Sequence, residues 1–404
     1  MDHKKETASL LQQISDELDQ FTTNDTNTGL LGGYAGCALF YAYYYQITSR
    51  DEHLVKVHEI IQKCLQALSE EPMNGSHCSG IAGVAWCIQH LITMGFIEED
   101  DMSDAFVDID VIVSDFMEAE LSVGRNDFLH QGLGTALYFL ERLPNPTAQT
   151  HLEKIVSHLK NTAITVPTGI TWKDQFSSNS LEQKDRNLFN MGLAHGVPAI
   201  IAVLARIYEK GIAVDTIAPL IEGSVKWLLA AKKPGGEKGH SLYPVMVDDA
   251  NEIVNEAHSR LGWCYGDLGI ATTLWGAGER LQRNDYKEEA HNIFKNIAQF
   301  RDVKNGAVHD ACICHGSAGI AHILQQAAIA TGDPLLKEGA TDWLQTTLQM
   351  NTWTDGPAGF KFYHHPNYTN SYNVLEGIAG IGLSLISFLD TDTKPAWGNC
   401  LLIS

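Results

Sequence analysis

Two kinds of hydrophobic segment alternate along the chain. One is amphipathic: between Glu52 and Leu68 the residues Leu54, Val55, Val57, Ile60, Ile61, Cys64, Leu65 and Leu68 recur at helical spacing, and Glu6 to Phe21 has the same character. The other is apolar nearly all round, as in Val84-Ala85-Trp86-Cys87-Ile88-Gln89-His90-Leu91-Ile92, and a helix of that kind belongs in an interior. Each apolar segment follows a Gly-x-x-Gly. Clean copies start at Gly33, Gly80, Gly266, Gly316 and Gly377, and two degraded copies read Gln131-Gly132-Leu133-Gly134 and Gly196-Val197-Pro198-Ala199. That makes seven units, each an outer amphipathic helix followed by an inner apolar one. Pro is scarce inside the apolar segments and no strong period-two run recurs, which argues against a sheet-based fold.

Seven helical hairpins either stack as an open solenoid or close on themselves. An open stack needs atypical polar repeats at its ends. The last unit, Leu375 to Leu389, is as apolar as the middle ones, so the pattern predicts closure into an all-α α/α toroid, a double barrel of seven inner and seven outer helices. Small residues at each inner-helix start are expected to let the helix ends crowd together. At 404 residues the chain is long for one compact core, but a ring grows by adding hairpins. The reading is therefore one domain over 1–404 with no separate insertion.

Composition narrows the function. Hydrophobic residues at 44% with 19% charged describe a globular chain, and 49 Asp and Glu against 28 Lys and Arg give a net charge of −21. A surface that acidic repels phosphate backbones, so nucleic acid is excluded as a partner. The start, Met1-Asp2-His3-Lys4-Lys5-Glu6, leads into no apolar run and shows no secretory signal. Ile378 to Leu389 is too short to span a bilayer, so no integral membrane segment is expected. Eight irregularly spaced cysteines form no disulfide framework, which points to the cytoplasm and reduced thiols.

Polar chemistry concentrates just ahead of the repeat glycines. His195 precedes Gly196, Cys264-Tyr265 precede Gly266, and Cys314-His315 precede Gly316; in the third unit His130 precedes Gln131, with Asp127 three residues further back. Equivalent slots of a closed repeat lie at one end of the barrel, so these residues are expected to converge. Cys264, Cys314 and His315 make a soft donor set for one Zn²⁺ per chain, with a fourth tetrahedral position left for substrate. A buried Cys is more often a small hydrophobe than a ligand; it is the shared slot in successive repeats that singles out Cys264 and Cys314. Cys78 has that slot too, but Ser79 follows it and it lies far around the ring. Cys37, Cys64 and Cys87 read as core, Cys312 as a spectator or spare thiol, and His364-His365 as a polar loop; Cys400, on the tail, has no predicted place.

The strings His195-Gly196, Trp263-Cys264-Tyr265-Gly266 and Cys314-His315-Gly316, in that order, resemble the signature motifs of the lanthionine synthetase C-like family, and the likeness runs through all seven repeats. The resemblance implies a seven-plus-seven α/α toroid with a central zinc on Cys264, Cys314 and His315. It also implies active-site roles for His195, Asp127, Arg260 and Tyr265. One departure stands out: Gln131 occupies a repeat-glycine position and could shift the loop that carries Asp127. The implied reaction adds a peptide Cys thiolate to dehydroalanine or dehydrobutyrine, giving lanthionine or methyllanthionine thioether rings. The substrate is then a dehydrated precursor peptide, and a lanthipeptide dehydratase is the implied partner. The long connections, Thr165 to Phe189 and Ala231 to Arg260, are candidates for peptide contact or simple padding. Rival readings are a zinc-dependent thiol alkyltransferase, which would want a basic diphosphate pocket, and a glycosidase, for which only Glu376 and Asp267 offer carboxylates. A non-catalytic zinc or thiol-binding scaffold is the third, and it has no use for His195 and Asp127.

Overall fold

The computed structural model describes residues 3–70, 72–98, 103–176, 187–233, 239–254, 258–391 and 395–403. Among them are fourteen α-helices. The first seven are α1 (His3–Asn24), α2 (Ala35–Thr48), α3 (Asp51–Glu70), α4 (Ile81–Thr93), α5 (Ser103–Ser122), α6 (Thr135–Glu141) and α7 (Pro146–Thr162). The rest are α8 (Val197–Glu209), α9 (Val214–Ala230), α10 (Asp267–Arg280), α11 (Asn284–Phe300), α12 (Ser317–Thr331), α13 (Pro334–Gln349) and α14 (Ile378–Leu389). Odd-numbered helices form the outer layer and even-numbered ones the inner, as the alternation predicted. Burial follows the pattern: α4 is buried from Ile81 through Leu91, whereas α3 buries only one face, with Val57, Ile60, Ile61 and Cys64 inward. Side-chain caps start two outer helices, where Asn145 accepts the Thr147 N–H and Asp333 the Leu335 N–H, each with Pro at the first turn.

The ring closes. Helix α14 packs against α2 and α1, joining the last repeat to the first. Backbone hydrogen bonds between successive loops circle the barrel at one end. Leu31 N–H donates to Cys78 O (2.8 Å), Cys78 to Leu129 (2.8 Å), Ala194 to Cys264 (3.2 Å), Cys264 to Cys314 (3.3 Å), Cys314 to Leu375 (3.0 Å), and Leu375 back to Leu31 (3.0 Å). All of these residues hold the same slot, two before a repeat's first position. Between the third and fourth loops, among the described residues, a side-chain bond from His195 to Asp127 stands in for the backbone one.

The repeat glycines let neighbouring repeats crowd together where the inner helices start, and it is loops that make the contact. A Cβ at Gly36, Gly83, Gly134, Gly269, Gly319 or Gly380 would run into the carbonyl oxygen six residues earlier, where the loop folds back over its own helix start. At most of these glycines the loop of the preceding repeat closes in as well: Leu30 against Gly83, His77 against Gly134, Ile313 against Gly380, and Val374 of the last repeat against Gly36 of the first. The glycines therefore seat the loops, and the loops carry the chemistry.

Three small antiparallel ribbons decorate the helices: β1 (Ile164–Val166) with β2 (Gly169–Thr171), β3 (Leu188–Asn190) with β4 (Met246–Asp248), and β5 (Phe362–His364) with β6 (Asn367–Thr369). The β3–β4 pair ties the two long connections together, and the expected polar loop at His364-His365 is the β5–β6 hairpin. Of those connections, 177–186, 234–238 and 255–257 lie outside the described residues. The C-terminal stretch runs into the interior: Trp397, Cys400 and Leu401 are fully buried. Its carbonyls accept from the bore, Leu401 O from Trp263 Nε1 (2.7 Å) and Cys400 O from His77 Nε2 (2.8 Å). Cys400 thus belongs to the core, as do Cys37, Cys64 and Cys87. No described helix is long and apolar enough to cross a membrane.

Candidate active site

At the end of the barrel circled by the hydrogen-bonded loops, the slot before each repeat's first position holds Gly32, Ser79, His130, His195, Tyr265, His315 and Glu376 in turn. Cys264, Cys314 and His315 are buried there, and their ligand atoms lie within 4.8 Å of one another. The backbone bond from Cys264 N–H to Cys314 O holds the two cysteines side by side. The Cys264 thiol is held well below its ordinary value, above all by a hydrogen bond from Cys314, with burial opposing and His315 supporting. Cys314, the donor, is pushed up correspondingly. Burial pulls His315 down, yet the hydrogen bond and charge of Cys264 raise it overall. Two sulfurs sharing a proton beside an imidazole are a donor set suited to a soft divalent cation.

A second cluster faces it. His195 Nδ1 donates to Asp127 Oδ2 at 2.6 Å, and Asp127 Oδ1 accepts the His130 N–H at 2.7 Å. The carboxylate is 1% exposed and the imidazole 14%, so the pair is shielded while the ring keeps an opening. Gln131, the departure from the repeat, does not dislodge this loop: its side-chain oxygen accepts the Asp127 N–H (3.0 Å) and braces it. Tyr265 links the two clusters. It follows Cys264 directly, its ring lies 6.0 Å from that of His195, and its hydroxyl accepts from Asn190 Nδ2 (3.4 Å). Burial is the main cause that pushes its phenol up to about 12, so it stays protonated. Arg260 is exposed at the rim, and its charge acts on both Cys264 and His315. All seven residues singled out in the sequence are thus drawn to one region.

Sequence reasoning missed several neighbours. Phe176 lies parallel to His195, ring centroids 4.7 Å apart, and stacks on His130 at 5.2 Å; no repeat pattern points to it. Phe362 stands against His315 at 5.4 Å. Glu376, read only as a weak glycosidase carboxylate, holds the slot after His315 and is pushed up, chiefly by burial. Cys312 is no idle spectator, since its sulfur accepts the His315 backbone N–H (3.5 Å). Cys78 keeps its slot, with burial pushing its thiol up to about 11, but among the described residues it joins no cluster of candidate ligands.

The family model for lanthionine synthetase C-like proteins matches residues 24–402. The nisin biosynthesis protein NisC of Lactococcus lactis subsp. lactis is 23% identical over 270 residues, which cover 62% of each chain and so less than two thirds of that relative. The solved structure of a nisin cyclase superposes with a TM-score of 0.78 at 18% identity, over 97% of this chain and 96% of that one, which establishes a shared fold. With a family match across nearly its whole length, the chain belongs to the lanthionine synthetase C-like proteins.

Proposed function

We infer that the protein is a zinc-dependent lanthipeptide cyclase, joining a peptide's Cys thiols to its dehydroalanine or dehydrobutyrine residues to make lanthionine and methyllanthionine rings. The observation that carries this reading is the meeting, at one end of the toroid, of the Cys264–Cys314–His315 donor set with the Asp127–His195 pair. A scaffold that only bound metal would have no use for a buried carboxylate on a partly open imidazole. When bound by Cys264, Cys314 and His315, Zn²⁺ supplies the substrate sulfur as a thiolate at neutral pH.

The remaining work falls to side chains. Addition at Cβ leaves an enolate, which needs positive charge at oxygen and a proton at Cα. His195 gives its Nδ1–H to Asp127, which leaves Nε2 as the atom that carries the transferred proton. Arg260 meets the enolate or peptide carbonyl oxygen, and the Tyr265 hydroxyl donates to the substrate. The substrate is a dehydrated precursor peptide, a dehydratase is the partner that supplies it, and the reducing cytoplasm suits the free thiols. We take residues 1–404 to act as one such ring.

Mass spectrometry with a thiol-blocking reagent tests the reading. Incubating zinc-loaded protein with a dehydrated, Cys-containing peptide should remove free thiols without change of mass. Thiols as free as in an enzyme-free control, across several peptides, would leave only the scaffold. Prenyl transfer from a diphosphate would install the alkyltransferase instead.

A further inference from the structure

His315 is held from both sides. Its ring lies within ligand reach of the sulfur pair, and its Nε2 is buried with no hydrogen-bond partner among the described residues. Asp310 Oδ2 lies 3.7 Å from that atom, on a carboxylate only 1% exposed. Both carboxylate oxygens are already fixed by backbone: Oδ1 accepts the Cys312 N–H (2.9 Å) and Oδ2 the Tyr363 N–H (2.8 Å).

The repeat shows what in Asp310 is unusual. It stands six residues before Gly316, and the same slot in the first, second and fourth units holds Asn27, Asn74 and Asn190. Each asparagine closes the same turn, accepting the N–H two residues on, from Gly29 (3.2 Å), Ser76 (2.9 Å) and Gly192 (2.8 Å). A neutral amide therefore suffices for the turn. The sixth unit carries a negative charge there, and that is the unit whose slot residue is His315. A histidine that ligates a cation through one nitrogen carries its proton on the other, and a buried N–H needs an acceptor.

Asp310, Cys312 and His315 also place ligand atoms within 4.8 Å of one another. The two backbone N–H groups on the carboxylate, and the His315 N–H on Cys312, make that cluster a brace and not a second metal site.

We propose that Asp310 is a positioning residue that holds His315 as a metal ligand, its carboxylate serving as the charged acceptor for Nε2–H. The inference rests on the zinc reading above. Chelator competition should measure zinc affinity in the parent, Asp310→Asn, His315→Cys and the double variant. Asp310→Asn should weaken zinc roughly 10- to 100-fold in the parent. In the His315→Cys background, whose ligand has no second polar atom to orient, the same change should alter affinity less than about threefold. Equal losses in both backgrounds would make Asp310 a loop strut and overturn the proposal, as would no loss in the parent. If Asp310→Asn fails to fold, spectra of nitrogen-15 histidine in the zinc-loaded parent decide, with the His315 signal identified by its absence from His315→Cys. An Nε2 proton in slow exchange with water is expected; an unprotonated or rapidly exchanging Nε2 overturns the role. A parent without zinc, or one that keeps it in Cys264→Ala, would sink the metal reading itself. Equal affinity in parent and Asp310→Asn sinks only this inference.

Discussion

His195 and Cys264 sit at the same kind of place, just before an inner helix, and do different work because their neighbours differ. Cys264 faces a sulfur and an imidazole; His195 faces a buried carboxylate. Replacing Cys264 or Cys314 by Ala should therefore abolish stoichiometric zinc while leaving the fold intact, as elemental analysis and circular dichroism would show. Full zinc occupancy in both folded variants would refute the assignment. His195→Asn should keep its zinc and slow cyclisation by roughly 10²- to 10⁴-fold, the usual size of a general-acid loss. Asp127→Asn should act in the same direction more weakly, and the double variant should be no worse than His195→Asn alone, because a proton carrier and its orienting partner act as a unit. Loss of zinc from His195→Asn would mean that a ligand had been mistaken for an acid.

At the scale of the element, the active-site end of the barrel depends on how closely each loop lies on the helix it precedes. Gly319 shows the dependence: an added Cβ meets the Ile313 carbonyl, and backbone cannot step aside as a side chain can. Gly319→Ala should destabilise the protein by about 1–3 kcal/mol in urea unfolding, the cost of overpacking, and should weaken zinc binding through the Ile313-Cys314-His315 stretch. Gly276, inside α10, meets only the far end of Arg280. Gly276→Ala should be neutral or stabilising by up to about 1 kcal/mol, because Ala forms helix better than Gly. Equal effects at the two sites would show that the repeat glycines are spacers and not loop seats.

On the scale of the whole molecule, the C-terminal stretch runs into the interior of the ring, and two buried histidines record how dry that interior is. Burial pushes His77 down to about 4, although its bond to the Cys400 carbonyl resists, and pushes His322, beside Trp397, down to about 3. Both are neutral in the fold at pH 6, whereas in the unfolded chain they protonate near 6.5. The unfolded state then binds more protons, so stability falls as pH drops below about 6.5, until each folded pKa is passed. Among the described residues, neither ring nitrogen of His322 has a hydrogen-bond partner. His322→Phe should remove roughly 1 kcal/mol per pH unit of the acid slope between pH 6 and 5, measured by urea unfolding beside the parent. An unchanged slope would mean that water reaches this histidine.

Much of this was legible in the linear chain. Five clean and two degraded Gly-x-x-Gly units, amphipathic and apolar segments in alternation, and residues in register at 195, 264–265 and 314–315 were enough for the toroid and for His195, Cys264, Tyr265, Cys314 and His315, because a closed repeat turns equal register into equal position; Arg260 and the role of Asp127 came only from the family resemblance. Asp310 had a signal as well, a carboxylate in a slot that holds Asn in three other units, but it gained meaning only when Nε2 of His315 proved to be buried without a hydrogen-bond partner among the described residues. Phe176 had no signal of its own beyond lying in the long Thr165 to Phe189 connection, read as peptide contact or padding, and its stacking on His195 depends on where that connection travels. Gln131 could be read either way until its side chain was seen to take the Asp127 N–H. The course of the tail, which puts Cys400 in the core and Leu401 against Trp263, was likewise settled by the bore, since buried backbone carbonyls go where donors await them. Local pattern determined the elements and their register in this protein; the contacts between loops far apart in sequence, which no periodicity encodes, were decided by the closing of the ring.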